Sequence, residues 1–104
     1  MSAARQDFDS LLMGSIAEGL KEVLGDASAK CVRFYIDPHL AVADPDNYAR
    51  SLLGLFGTAT KALLDVVITR LQEKTGVEKS AAESFGKIVA EARQDYQQRD
   101  QIVA

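Results

Sequence analysis

The stretch Cys31-Val32-Arg33-Phe34-Tyr35-Ile36 decides the fold class of this 104-residue chain. Read alone, it is rich in β-branched and aromatic residues and alternates loosely, a pattern that favours a strand. A strand needs a neighbour for its backbone donors and acceptors, and no second segment of the chain offers one. Read as a helix, the same segment gathers Ala29, Val32, Tyr35 and Ile36 on one side, with Asp26 or Ser28 as N-cap. The helix ends before Pro38, because the residue preceding a proline is pushed out of the α region. The helical reading is adopted here, and it makes the whole chain all-α.

The flanking segments agree with that reading. Phe8, Leu11, Leu12, Ile16, Leu20, Val23 and Leu24 recur in steps of three and four, which predicts a first helix over about residues 5 to 24, closed by Gly25 in a left-handed cap. After the Cys31 segment, Asp37-Pro38 through Asp44-Pro45 holds both prolines and reads as the main loop, with Leu40 and Val42 folding back onto the core. Asp44 then serves as N-cap and Pro45 as first residue of a third helix, where the missing N–H costs nothing. That helix carries Tyr48, Leu52, Leu53 and Phe56 to Gly57. A fourth runs from there to Gly76, and Leu63, Leu64, Val66, Val67, Ile68 and Leu71 point in nearly every direction around its axis. This predicts the buried central helix of the fold.

Ser80-Ala81-Ala82-Glu83 has the form of a capping box and introduces a fifth helix over about residues 80–99. The expected architecture is a single domain over 1–104, a compact bundle of about five helices with its core in about residues 5–76. A chain of this length builds one core and not two.

Composition narrows the function more than it names one. The chain is 47% hydrophobic and 26% charged, which excludes wholesale disorder, and its one Cys and one His leave no disulfide framework and no ordinary Cys/His zinc set. A net charge of −3 and a pI near 5.0 speak against a broad phosphate-binding surface. Arg50, Lys61, Arg70, Lys74, Lys79, Lys87, Arg93 and Arg99 alternate with Asp65, Glu73, Glu78, Glu83, Glu91 and Asp95, the pattern of a solvated mixed-charge surface. No nucleic-acid partner is therefore expected. Charged residues precede any apolar run at the N-terminus, and Leu63–Leu71, interrupted by Asp65 and Arg70, falls well short of the ~20 residues of a membrane span. The expectation is a cytoplasmic protein with no membrane association.

The constellations that could carry chemistry each have a plainer explanation. Gly14-Ser15-Ile16-Ala17-Glu18-Gly19-Leu20-Lys21 has the glycines of a phosphate loop but lies within an amphipathic helix, so the small residues are read as a helix crossing. Asp37, His39, Asp44 and Asp46 crowd the proline-bounded loop, where turn and cap geometry accounts for them better than a cation does. Cys31 and His39 form no recognisable nucleophile and base. No catalytic, cofactor-binding or metal-binding residue is assigned, and the chain is read as non-enzymatic.

Two surfaces remain. Phe85, Ile88, Val89, Ala92 and Tyr96 form an apolar stripe on the fifth helix that should outrun a core of this size, and it is the expected interaction surface for another protein or for a second copy in a homodimer. Alternatively, Cys31, Tyr35, Gly54 and Phe56 line an apolar pocket for a small sensed ligand, with Gly54 marking a close helix neighbour. An enzyme built on Asp37 and His39 is the least favoured alternative, since catalysis requires those groups to converge on a cleft.

The run from Ser15 to Gly76 resembles a small archaeal helical module, the Nitrosopumilus output domain family. The residues that carry this are Cys31-Val32-Arg33-Phe34-Tyr35-Ile36, then Leu55-Phe56-Gly57 with Lys61-Ala62-Leu63-Leu64 behind it. About 60 residues are covered. Asp37-Pro38-His39 interrupts the second helix of the pattern, and the segment from Ser80 onward lies outside it. The resemblance implies a signal-output or regulatory role through protein association and supplies no catalytic residues.

Overall fold

In the computed structural model, which describes residues 7–76 and 84–103, the Cys31 segment is helical. The element order is α1 Phe8–Leu24, α2 Asp26–Tyr35, α3 His39–Ala43, α4 Pro45–Phe56, α5 Ala59–Thr75 and α6 Phe85–Val103, with no strand among the described residues. The all-α expectation holds. To the roughly five helices expected, the proline-bounded loop adds the short helix α3. Ala41 is fully buried there, with Leu40 and Val42 packed against the core beside it. Burying three apolar side chains from so short a connection requires a turn of helix to satisfy the backbone they drag inward.

Each helix starts and stops for a local reason. α1 begins at Phe8 because the Asp7 carboxylate accepts from the Ser10 N–H at 2.8 Å, and that bond holds the Asp7 carboxyl below its usual range. Gly25 joins α1 to α2 single-handedly. Its φ of 87° is open to glycine, but its ψ of 165° is extended rather than left-handed helical, so the chain swings directly from one helix into the next. Gly25 is also the N-cap of α2, where neither Asp26 nor Ser28 caps through its side chain. Asp44 and Pro45 start α4 as expected, the Asp44 carboxylate accepting from the Asn47 N–H at 3.2 Å. Gly57, at φ 58°, ends α4, and the Thr60 hydroxyl donates back to the Leu52 carbonyl at 3.1 Å, locking the α4–α5 corner. Gly76 closes α5 in the left-handed conformation. The Ser80–Glu83 capping box lies outside the described residues. α6 starts instead at Phe85, with the Ser84 hydroxyl accepting from the Lys87 N–H at 3.1 Å, and continues to Val103.

The core is organised on the antiparallel pair α1 and α5. Glu18 meets Lys74 at 2.7 Å and Glu22 pairs with Arg70, so the chain directions oppose. Gly19 sits at the crossing: a Cβ there would lie 2.7 Å from Val67 Cγ2 and 3.3 Å from the Val67 backbone. The small residues of α1 are a helix crossing, and Ser15, fully buried, returns its hydroxyl to the Leu11 carbonyl at 2.8 Å. α5 is less enclosed than its sequence implies. Leu63, Val67, Ile68 and Leu71 are buried, but Ala62, Asp65 and Thr69 face solvent, so one broad face and not most of the circumference is covered.

α6 packs on α1, α4 and α5. Its first turn is held by Asp46, whose carboxylate accepts from the Gly86 N–H at 2.7 Å, an acceptor supplied by another helix to an otherwise orphaned donor. At the other end of the contact, Phe8 and Tyr96 rings meet at 6.1 Å between centroids, and the Arg93 guanidinium lies 4.7 Å over the Phe8 ring while pairing with Asp9.

Two glycines separate packing from propensity. Gly19→Ala gains about 1 kcal/mol of helix propensity but incurs about 1–3 kcal/mol of overpacking against a β-branched, fully buried neighbour, so a net loss of about 1 kcal/mol is expected in urea unfolding. Gly54, in α4, has nothing within 4 Å of a Cβ, so Gly54→Ala is expected to stabilise by up to about 1 kcal/mol.

The buried Tyr48 gives a second prediction. Burial pushes its phenol up to about 12, with the Arg33 charge offsetting part of the effect, and its hydroxyl has no hydrogen-bond partner among the described residues. Above pH 10 the unfolded chain releases this proton while the folded chain keeps it, so stability falls as pH rises from about 10 to about 12. Tyr48→Phe is expected to flatten that alkaline limb of the stability curve and to be neutral or slightly stabilising at pH 7, since no partner is left unpaired.

Candidate functional site

The apolar stripe of α6 is core, not surface. Phe85, Val89, Ala92 and Tyr96 are buried, and Ile88 is half-buried against the same cluster. The expected excess of apolar area is absent because α1, α4 and α5 together provide a trough wide enough to take the whole stripe. Its role as an exposed interaction face is therefore corrected.

Exposed large apolar side chains lie on α2, on the end of α4 and, at Val23, on α1. Phe34 is 87% exposed and Tyr35 77%, their rings in edge-to-face contact at 5.9 Å, and Leu53 and Leu55 are each more than half exposed. These contrast with the general rule that large apolar side chains on a small domain are covered or scattered. Tyr35 does not join Ala29, Val32 and Ile36 in the core as its spacing implied. α2 ends at Tyr35, and Ile36, already extended, takes the buried position instead.

Among the described residues, α2 packs only on α1. Between α2 and α4 lies an open cleft of about 330 Å³ lined by Ala27, Ser28, Cys31, Val32, Tyr35, Leu55 and Phe56. Three of the four residues expected to line a pocket, Cys31, Tyr35 and Phe56, therefore meet at one place. Gly54 does not: it is exposed, with no close neighbour, and the close helix contact expected for it is found at Gly19. Cys31 is an exposed thiol in the cleft wall.

Sequence reading missed Phe34, Leu53, Leu55, Ala27 and Ser28. A signal was present for Phe34. On a wheel of 3.6 residues per turn it lies opposite Ala29 and Val32, an aromatic residue on the side where a solvated helix carries polar ones.

The acidic loop residues are spent on backbone geometry. Asp37 accepts from both the His39 N–H and ring Nδ1 at 2.9 Å, and the backbone bond first, then the ring, holds its carboxyl below the usual range. Both side chains are largely exposed. Asp44 caps α4, and Asp46 holds α6. No cluster of three metal-ligating side chains occurs among the described residues, and no described helix is long and apolar enough to cross a membrane.

No family model, curated protein or solved structure matches the chain. The resemblance to an output domain rests on the residues quoted for it.

The division between core and surface is measurable. Val89→Ala is expected to cost about 1–3 kcal/mol and Phe85→Ala about 3–5 kcal/mol in chemical unfolding, the range for truncation of buried side chains. Phe34→Ser and Tyr35→Ser should each stay within about 0.5 kcal/mol of the parent, as exposed positions do.

Proposed function

We propose that this chain is a non-enzymatic protein-association module of the signal-output or regulatory kind, acting through the apolar surface of α2 and the end of α4. The observation that carries the reading is the pair Phe34 and Tyr35, two neighbouring rings left largely in water by a chain that buries Phe8, Tyr48, Phe85 and Tyr96 and half-buries Phe56. Exposed aromatic residues at the centre of an apolar patch are the residue types on which association energy concentrates. The cleft beside them is wide open, whereas sites for small ligands enclose about 70–90% of the molecule they bind. A helix face of a protein partner fits such an opening better than a small sensed molecule does.

The test is site-specific photocrosslinking in the native host, with p-benzoylphenylalanine in place of Phe34 and, as control, in place of the exposed Glu73. Defined protein adducts are expected from position 34, competed away by purified parent chain, and none from position 73. Equal adduct formation at the two positions, or none at position 34, would sink the reading.

A further inference from the structure

We infer that the occupant of the α2 surface is a second copy of this chain, paired through antiparallel α2 helices about a two-fold axis at Cys31. The inference rests on the association reading above and names its partner.

Side-chain size is unevenly distributed along α2. Ala29 and Val32 face α1, so the outward side carries Ala27, Cys31 and Phe34 in steps of four and three, flanked by Lys30, whose ammonium pairs back to Asp26 at 3.7 Å, with Ser28 and Tyr35 along the cleft edge. The small residues are at the N-terminal half of this face and the two large rings at the C-terminal half. Such a helix is complementary to itself only when reversed. With the axis at Cys31, Phe34 of one copy lies over Ala27 of the other and Tyr35 over Ser28, each pair sharing a row of the helix, large on small at both ends. A parallel arrangement would stack ring on ring at one end and leave a void at the other. A two-fold contact of this kind closes on itself, so the assembly stops at two.

Charge follows the same geometry. Asp26 and Arg33 fall on one flank of α2, seven residues apart and each exposed, with Lys30 between them already paired to Asp26 at 3.7 Å. Antiparallel pairing brings Asp26 at the start of one helix to within about one turn of Arg33 near the end of the other. It also opposes the two helix dipoles.

The area is of the right order. The two exposed rings alone offer roughly 300 Å² of the roughly 800 Å² per partner that a specific interface covers. Leu55 and Phe56 on the opposite cleft wall, with Ala27, Ser28 and Cys31, lie beside them to extend the contact.

The full-length chain is tested by sedimentation equilibrium over a wide concentration range, together with a short bis-maleimide that joins two nearby thiols. A reversible dimer is expected, and Phe34→Asp should weaken it at least tenfold. Ala27→Arg, which fills the small end of the face, should do the same although it alters no aromatic residue, and Phe34→Leu should restore most of the association. The parent should yield a Cys31-to-Cys31 covalent dimer at concentrations where Phe34→Asp yields almost none. Circular dichroism and thermal melts of the variants confirm that these exposed substitutions leave the fold intact. A dimer indifferent to Phe34→Asp or Ala27→Arg overturns this pairing. A strict monomer whose position-34 adducts are to a different protein overturns the second copy and leaves the association reading standing. A strict monomer with no adducts overturns both.

Discussion

The rest of the structure depends on how closely α1 can approach α5. Gly19 has no Cβ, and the space one would fill is taken by Val67. That absence lets the fully buried rows Leu12, Ile16 and Leu20 on one helix and Leu63, Val67 and Leu71 on the other meet without an intervening layer. The ion pairs along the edge, Glu18 with Lys74 and Glu22 with Arg70, lie half in solvent and add little on their own. They agree with the register that the packing sets. α2 docks on α1, α4 on α5, and α6 on both.

Polar chemistry in this molecule serves the backbone. Asp7, Asp44 and Ser84 each accept from a donor in a helix's first turn, and Asp46 reaches across forty residues to do the same for Gly86. Asp37 takes two donors from His39 at the head of α3. Backbone donors hold the Asp7 and Asp37 carboxyls below their usual range, which suits a cap and removes them from general acid work. The acidic loop that looks richest in chemistry is therefore the part of the chain most occupied with turning it.

Much of this was legible in the sequence, and the failures have physical causes. Helix periodicity placed α1, α4 and α5 closely, because long amphipathic segments repeat their signal many times. The segment from Cys31 was ambiguous by propensity and was settled by the lack of a partner strand, an argument about the whole chain. α3 was invisible because five residues between prolines are too few to show a period. The α6 stripe was identified correctly as apolar, but whether a stripe is covered depends on the width of the trough that three other helices make. That information is distributed over the fold. Gly19 and Gly54 both read as sites of close helix contact, and only the surrounding packing decides that Gly19 is one and Gly54 is not.

The position of Phe34 and Tyr35 is hard to explain by folding alone. Their mutual edge-to-face contact is worth about 1 kcal/mol in a dry setting, but here both rings stand in water, and polar residues would serve the isolated fold equally well. α2 is also the helix with the fewest neighbours, held to the bundle by α1 through Ala29, Val32 and Ile36. A short helix docked along one face gains the most order when its other face is covered. Covering the rings would therefore do two things at once: it would remove roughly 300 Å² of apolar surface from water and close the open side of the least anchored helix. A partner covering α2 would thus also restrain α2, and through Val32 in the cleft wall the α1 face on which the helix rests. The proposed association would in that way link its contact surface to the core, and α2 is where this fold could provide the link.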